Sequence, residues 1–244
     1  MKKLYDKSEL WFALLWIIAY VVGTGLCDML SLKIGLPKIL TLAYLLIMSV
    51  FFVLWIRKHN LQSKYGFQKP NDAPKKYLYF IPLIVIISMN LWLGVYLNYT
   101  IVETIIYVFS MFCVGFVEEV IFRGFLFKAM EKDNLKSAVI VSSITFGIGH
   151  IVNLFNTSGQ HLVATLCQIC YAVVIGFLFV IIFYKSGSLL PCIITHSMFN
   201  ALSAFSHPRL NEFMWQIIIA AIMIVIALAY SIYIIKTNKK DISN

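Results

Sequence analysis

The stretch MFCVGFVEEVIFRGFLF, Met111–Phe127, decides how the rest of the chain is read. It is apolar enough to lie within a bilayer, yet it carries Glu118, Glu119 and Arg123. Charge at the centre of a spanning helix costs roughly 2.5–3.5 kcal/mol per residue on insertion scales, so two adjacent acids need a compensating reason. Arg123 supplies part of it. Four positions after Glu119, it lies on the same helical face, where guanidinium and carboxylate can hydrogen-bond and neutralise each other. An intramembrane carboxylate is a functional candidate first and a structural one second.

Outward from this stretch, the chain is 244 residues long, 61% hydrophobic and only 13% charged, with a mean hydropathy of +0.86. Soluble globular domains do not have that composition. The reading is an all-α polytopic membrane protein, one integral membrane domain over residues 1–244 with a motif-bearing core at about 101–205. At about 20 apolar residues per span there is room for about eight transmembrane helices. The apolar runs place their cores at Leu10–Leu32, Ile39–Ile56, Tyr77–Leu97, Ile101–Met130, Ser137–Phe155, Leu162–Tyr184, Ser188–Phe205 and Phe213–Ile235. The first run is too long for a signal-peptide apolar region and is expected to remain as a span.

Lys2, Lys3 and Lys7 precede the first span, and the connection RKHNLQSKYGFQKPNDAPKK carries Arg57, Lys58, Lys64, Lys69, Lys75 and Lys76. With Arg123, Lys128, Lys132, Lys136, Lys185, Lys236, Lys239 and Lys240, 17 of the 20 basic residues fall on one side of an eight-span arrangement. Lys33, Lys38 and Arg209 fall opposite. By the positive-inside rule both termini are cytoplasmic. The net charge of +9 is then topological and calls for no nucleic-acid partner. The long connection reads as turns, and attraction to anionic headgroups is expected there.

Two further spans carry groups that lipid would exclude. FGIGHIVNLF, Phe146–Phe155, holds His150 beside Gly147 and Gly149, which permit close helix approach. In LLPCIITHSMFNALSAF, Leu189–Phe205, His196 and Asn200 are four apart and project from one face. Counted at 1.5 Å per residue from the basic marker of each helix, Glu118 is about 15–21 Å deep, His150 about 21 Å, and His196 and Asn200 about 16 and 22 Å. These groups are therefore expected to share one buried polar cavity. A carboxylate and a neutral imidazole beside one water can take its proton and direct it at a carbonyl, which is general-base peptide hydrolysis. A second histidine with an asparagine can donate to the oxyanion that forms. An ion or proton transporter would instead need polar groups spread from face to face. Little beyond Asp28, expected to be interfacial, and Asn90 lies elsewhere in the spans.

At these residues the chain resembles the CPBP or Abi family of intramembrane proteases, which includes the CAAX prenyl endopeptidases, also called Ras-converting enzymes. The signatures E-E-x-x-x-R, F-x-x-x-H and H-x-x-x-N/D stand in order as Glu118-Glu119-x-x-x-Arg123, Phe146-x-x-x-His150 and His196-x-x-x-Asn200. The resemblance covers about Phe109–Ala204. It implies that Glu118 activates water with help from His150 and that His196 and Asn200 stabilise the oxyanion. Glu119 and Arg123 would hold the site together, and Phe146 would pack beside His150. Neighbours on a helix project about 100° apart, so only one of the two acids can aim squarely at the histidines. The implied substrate is a membrane-associated peptide or membrane-anchored protein. Some relatives serve bacteriocin self-immunity or peptide processing, so a peptide-binding immunity protein without catalysis is the alternative. The Lys-, Ile- and Asn-rich composition resembles that of a low-GC Gram-positive bacterium, which favours peptide maturation or immunity at a plasma membrane over CAAX trimming.

The family has been described both as metalloproteases and as glutamate-type proteases. If a divalent ion such as zinc were bound, Glu118, His150 and His196 would be its ligands, but H-E-x-x-H is absent and asparagine is an unusual zinc ligand, so no metal is expected. Cys27, Cys113, Cys167, Cys170 and Cys192 read as small hydrophobes packed between helices, the C-x-x-C at Cys167 and Cys170 included. His59, His161 and His207 lie outside the spans or at their ends.

Overall fold

Short helical segments punctuated by Ser, Pro and Gly set the boundaries of the structure, a computed structural model that describes residues 1–71, 80–157 and 159–237. Helix α1 is Lys2–Lys7, ended by Ser8, whose extended backbone and hydroxyl cap the N-terminus of α2, Glu9–Ile34. Gly35, in the left-handed region at φ 79°, closes α2. Next come α3, Ile39–Lys58, α4, Ile81–Ser88, and α5, Ile101–Glu119. The remaining helices are α6, Lys128–Glu131, α7, Leu135–Gly149, α8, Leu162–Ser186, α9, Leu190–Leu202, and α10, Phe213–Thr237. The fold is all-α, as composition demanded.

Among the described residues, six helices are long and apolar enough to cross a membrane: α2, α3, the continuous Ile101–Glu131 rod, Leu135–Leu154, α8 and α10. The other two expected spans are short apolar helices, Ile81–Leu91 and Leu190–Phe205. Both start on a proline in the first turn; the first stops short of Leu97, whereas the second runs to the expected Phe205. After α4, a 3-10 turn carries Asn90, whose amide donates to the Phe199 carbonyl at 2.7 Å, and Gly94 then takes φ 103°. The expected continuation to Leu97 is instead an irregular strap, tied to the end of α9 by Tyr96 N–H to Phe205 O at 2.9 Å and by Asn98. The expected start of this span at Tyr77 lies outside the described residues, as do Lys75, Lys76, Lys239 and Lys240 of the charge count.

The basic connections gather at one end of the bundle. The Lys64 ammonium donates to Glu9 at 2.6 Å and to the Tyr5 hydroxyl at 2.8 Å, and Lys132 lies 3.9 Å from Glu9. The connection after α3, read from sequence as turns, is docked in its described part onto the α8–α9 turn. Leu189 N–H donates to Gly66 O, Asn71 N–H to Ser186 O, and Ser188 Oγ–H to Gln68 O. At the opposite end Asp28 is buried against its neighbours: Lys38 ion-pairs with it at 2.7 Å and the Thr41 hydroxyl donates to it.

One helix holds the centre. Every residue from Val117 to Phe127 is buried, which only a helix enclosed on all sides allows. The α5 rod packs against α2, α3, α7, α8 and α9, and from Val120 to Phe127 it widens into π-helical turns. Such turns are rare and concentrate at functional sites. The contact with α9 is closest at Gly115, where an added Cβ would lie 2.5 Å from Ser197 N and 2.6 Å from Ser197 Cα. Ser197 Oγ–H then donates to Phe112 O at 2.9 Å, which locks the two helices in register one residue from His196. Gly115→Val is therefore expected to force α9 outward, at about 1–3 kcal/mol for overpacking. Thermal unfolding of the detergent-purified variant should show a clear loss of Tm, and an unchanged Tm would mean the contact is looser than described.

Candidate active site

The residues that lipid would exclude converge. On α5, Glu119 and Arg123 are fully buried, and Arg123 Nη1–H donates to Glu119 Oε1 at 3.1 Å. His196, from α9, lies against both acids: Nδ1 is 2.8 Å from Glu119 Oε1 and Nε2 is 3.4 Å from Glu118 Oε2. The first is a good hydrogen bond. The second is within ion-pair range but too long for a well-formed hydrogen bond, so a small polar group can exchange for it.

Glu118 is positioned from the other side of the bundle. The Tyr20 hydroxyl, on α2, donates to Glu118 Oε1 at 2.5 Å. Glu118 Oε2 has no hydrogen-bond partner among the described residues, nor have Glu119 Oε2, Arg123 Nε or Arg123 Nη2. Buried polar atoms left without partners are uncommon, so their concentration at one spot makes it the candidate site. Two carboxylates and one guanidinium leave one excess negative charge. His196, set between the two carboxylates, is the side chain placed to offset it.

Phe146 forms the wall that these groups share. The Arg123 guanidinium lies over its ring, 4.0 Å from the centroid, while the His150 and His196 rings meet it edge-on at 5.4 and 5.6 Å. His150 starts the 3-10 turn His150–Leu154 at the end of α7 and is within electrostatic reach of Glu118, His196 and Arg123. Helix α7 meets α8 at Gly147, where a Cβ would lie 2.8 Å from Val173 N and 3.0 Å from Ile169 O. Gly149 faces open space, so of the two glycines only Gly147 is needed for helix approach. Gly176, on α8, leaves room for the arginine, since a Cβ there would lie 3.1 Å from Arg123 Nη2.

His150, His196 and Asn200 line one cavity of about 40 Å³, room for a few waters. Glu118 is not part of its wall and reaches it alongside His196. Gln168 and Tyr171 of α8 also line it, with apolar residues including Ile86 of α4 and Met223 of α10. Sequence reading passed over Tyr20, Gln168 and Tyr171. A lone tyrosine in an apolar span carries little signal, and Gln168 sits inside the Cys167–Cys170 motif, where the cysteines drew the eye. Those cysteines are free thiols, Cys167 half-buried and Cys170 exposed, so Cys170 is not packed between helices. Among the described residues no three His, Cys, Asp or Glu side chains converge as a metal ion requires.

Residues 100–202 match the family described as type II CAAX prenyl endopeptidase Rce1-like. Over this segment the chain is similar to that family. The match starts at Thr100, the cap of α5, and ends at Leu202, the end of α9, so it covers the helices that carry Glu118, His150 and His196. It includes all three sequence signatures. Tyr20, Ile86 and Met223 come from helices outside the matched segment. No curated protein matches the chain.

Proposed function

We propose that this protein is an endopeptidase that hydrolyses a bond of a membrane-associated peptide or protein, with Glu118 as general base. The observation that carries the proposal is the Glu118 carboxylate itself, held on Oε1 by Tyr20 and left with Oε2 unpartnered beside His196. Water between Glu118 and His150 gives its proton to Glu118 Oε2 as its oxygen bonds to the scissile carbonyl carbon. The developing oxyanion takes the place of Glu118 at His196 Nε2–H and receives a second hydrogen bond from the Asn200 amide. Glu119 orients His196 through Nδ1, and Arg123 holds Glu119. When the C–N bond breaks, the proton on Glu118 passes to the leaving nitrogen. His150, His196 and Asn200 share the cavity, and Glu118 lies against His196.

The positive-inside distribution assigns the basic end of the bundle, with both termini, to the cytoplasm. The purified protein, mixed in detergent with a library of membrane-associated peptides, should release fragments with new N-termini detectable by mass spectrometry. A library left intact by a well-folded preparation would sink the proposal. Tyr20→Phe removes the hydroxyl that anchors the base without touching substrate. It should lower kcat about tenfold with KM unchanged, since one hydrogen bond to a charged group contributes about 1.5–3 kcal/mol. An equal rise in KM would instead mean that Tyr20 contacts substrate.

A further inference from the structure

The α8 wall of the cavity carries two polar groups that the proposed chemistry does not use. Gln168 and Tyr171 are three residues apart and share one face of α8 with Ala172 and Ile175, all lining the cavity. The Gln168 amide is fixed in orientation: its Oε1 accepts from Asn153 Nδ2 at 3.0 Å, and Asn153 Oδ1 accepts in turn from Asn156 Nδ2 at 2.9 Å. With the oxygen engaged, the Nε2 group is left to donate. Gln168 and Tyr171 are half-buried, and among the described residues neither Gln168 Nε2 nor the Tyr171 hydroxyl donates a hydrogen bond. A donor held in a largely apolar cavity is costly unless something meets it.

The chemistry of the wall narrows what that something is. Both groups are neutral, and the Arg123 guanidinium is fully buried behind Phe146. A neutral donor pair suits an uncharged carbonyl better than a carboxylate or phosphate. Side chains at i and i+3 of a helix are about 5–6 Å apart, and carbonyls on one side of an extended chain repeat at about 6.6 Å. We propose, resting on the endopeptidase reading, that Gln168 and Tyr171 form a subsite that binds successive same-side backbone carbonyls of an extended peptide beside the scissile bond. Recognition there is of the main chain, while the apolar residues around it take the substrate side chains.

Binding can be measured without turnover. In a Glu118→Gln background, a fluorescent Leu/Ala heptapeptide with both ends capped is titrated against the protein in nanodiscs. Gln168→Leu and Tyr171→Phe should each raise Kd about fivefold to tenfold, the worth of a hydrogen bond of about 1 kcal/mol. One peptide of a series with single amide-to-ester replacements, which weaken the carbonyl as an acceptor, should bind the parent less tightly and lose nothing further on Gln168→Leu. Unchanged Kd in both variants with unaltered Tm would overturn the subsite. So would tighter binding of a peptide with a free C-terminal carboxylate. The two readings fail separately: binding losses without any cleavage by the Glu118-containing protein leave the subsite and remove the protease, whereas cleavage with unaltered Kd and KM in the variants does the reverse.

Discussion

Glu118→Gln is expected to lower kcat for peptide cleavage by about a thousandfold or more while leaving the fold intact. The amide is nearly isosteric, and its oxygen can still accept the Tyr20 hydroxyl bond now made to Oε1. What it loses is the ability to take a proton. Positioned general-base catalysis is worth about 10²–10⁴-fold, and a neutral amide also leaves His196 facing no charge at Nε2, where the carboxylate lies at 3.4 Å. Steady-state cleavage and thermal unfolding of the same preparation check this together. Retention of activity to within about tenfold, at unchanged Tm, would remove Glu118 from the role of base.

Arg123→Met is expected to have the largest effect on stability, about 3–5 kcal/mol. Arg123 and Glu119 both have side chains with 0% exposure, so deleting the guanidinium leaves a buried carboxylate whose remaining partner is His196. Arg123 also fills space against Phe146 and Phe179, at 4.0 and 5.6 Å from the ring centroids, and methionine preserves much of that volume. The loss should therefore be electrostatic in origin, and a second substitution separates the two causes. Glu119→Gln added to Arg123→Met removes the stranded charge and should recover a large part of the Tm. If the double variant is as unstable as Arg123→Met alone, packing rather than charge dominates the site.

Much of this architecture was legible because a bilayer makes sequence rules strict. Apolar runs placed α2, α3, α5, α7, α8 and α10 within a few residues, since a spanning segment must satisfy its backbone internally and so must be helical. The spacing of Glu119 and Arg123 was likewise enough to pair them, because residues four apart on a helix meet whatever surrounds it. Length was less legible. Tyr77–Leu97 is apolar enough for a full span, but Asn90, Gly94 and the strap that covers the end of α9 stop the helix early through contacts made by residues over a hundred positions apart.

By itself, then, the sequence determined the solvent this protein lives in, the helical class, the polar residues that must hide from lipid and the family signatures they form. Local periodicity and composition carry that information, and neither depends on how the helices are arranged. Only the tertiary structure decided how the acids divide their partners: Glu119 is bound to Arg123 and His196, whereas Glu118 is held by Tyr20 from a helix 98 residues away in sequence. It alone also brought Gln168 and Tyr171 to the cavity and turned α5 into an enclosed central rod. The physical reason is that a side chain's direction about its helix is set by packing against neighbouring helices. That packing turns on close approaches such as Gly115 on Ser197, which no single span records.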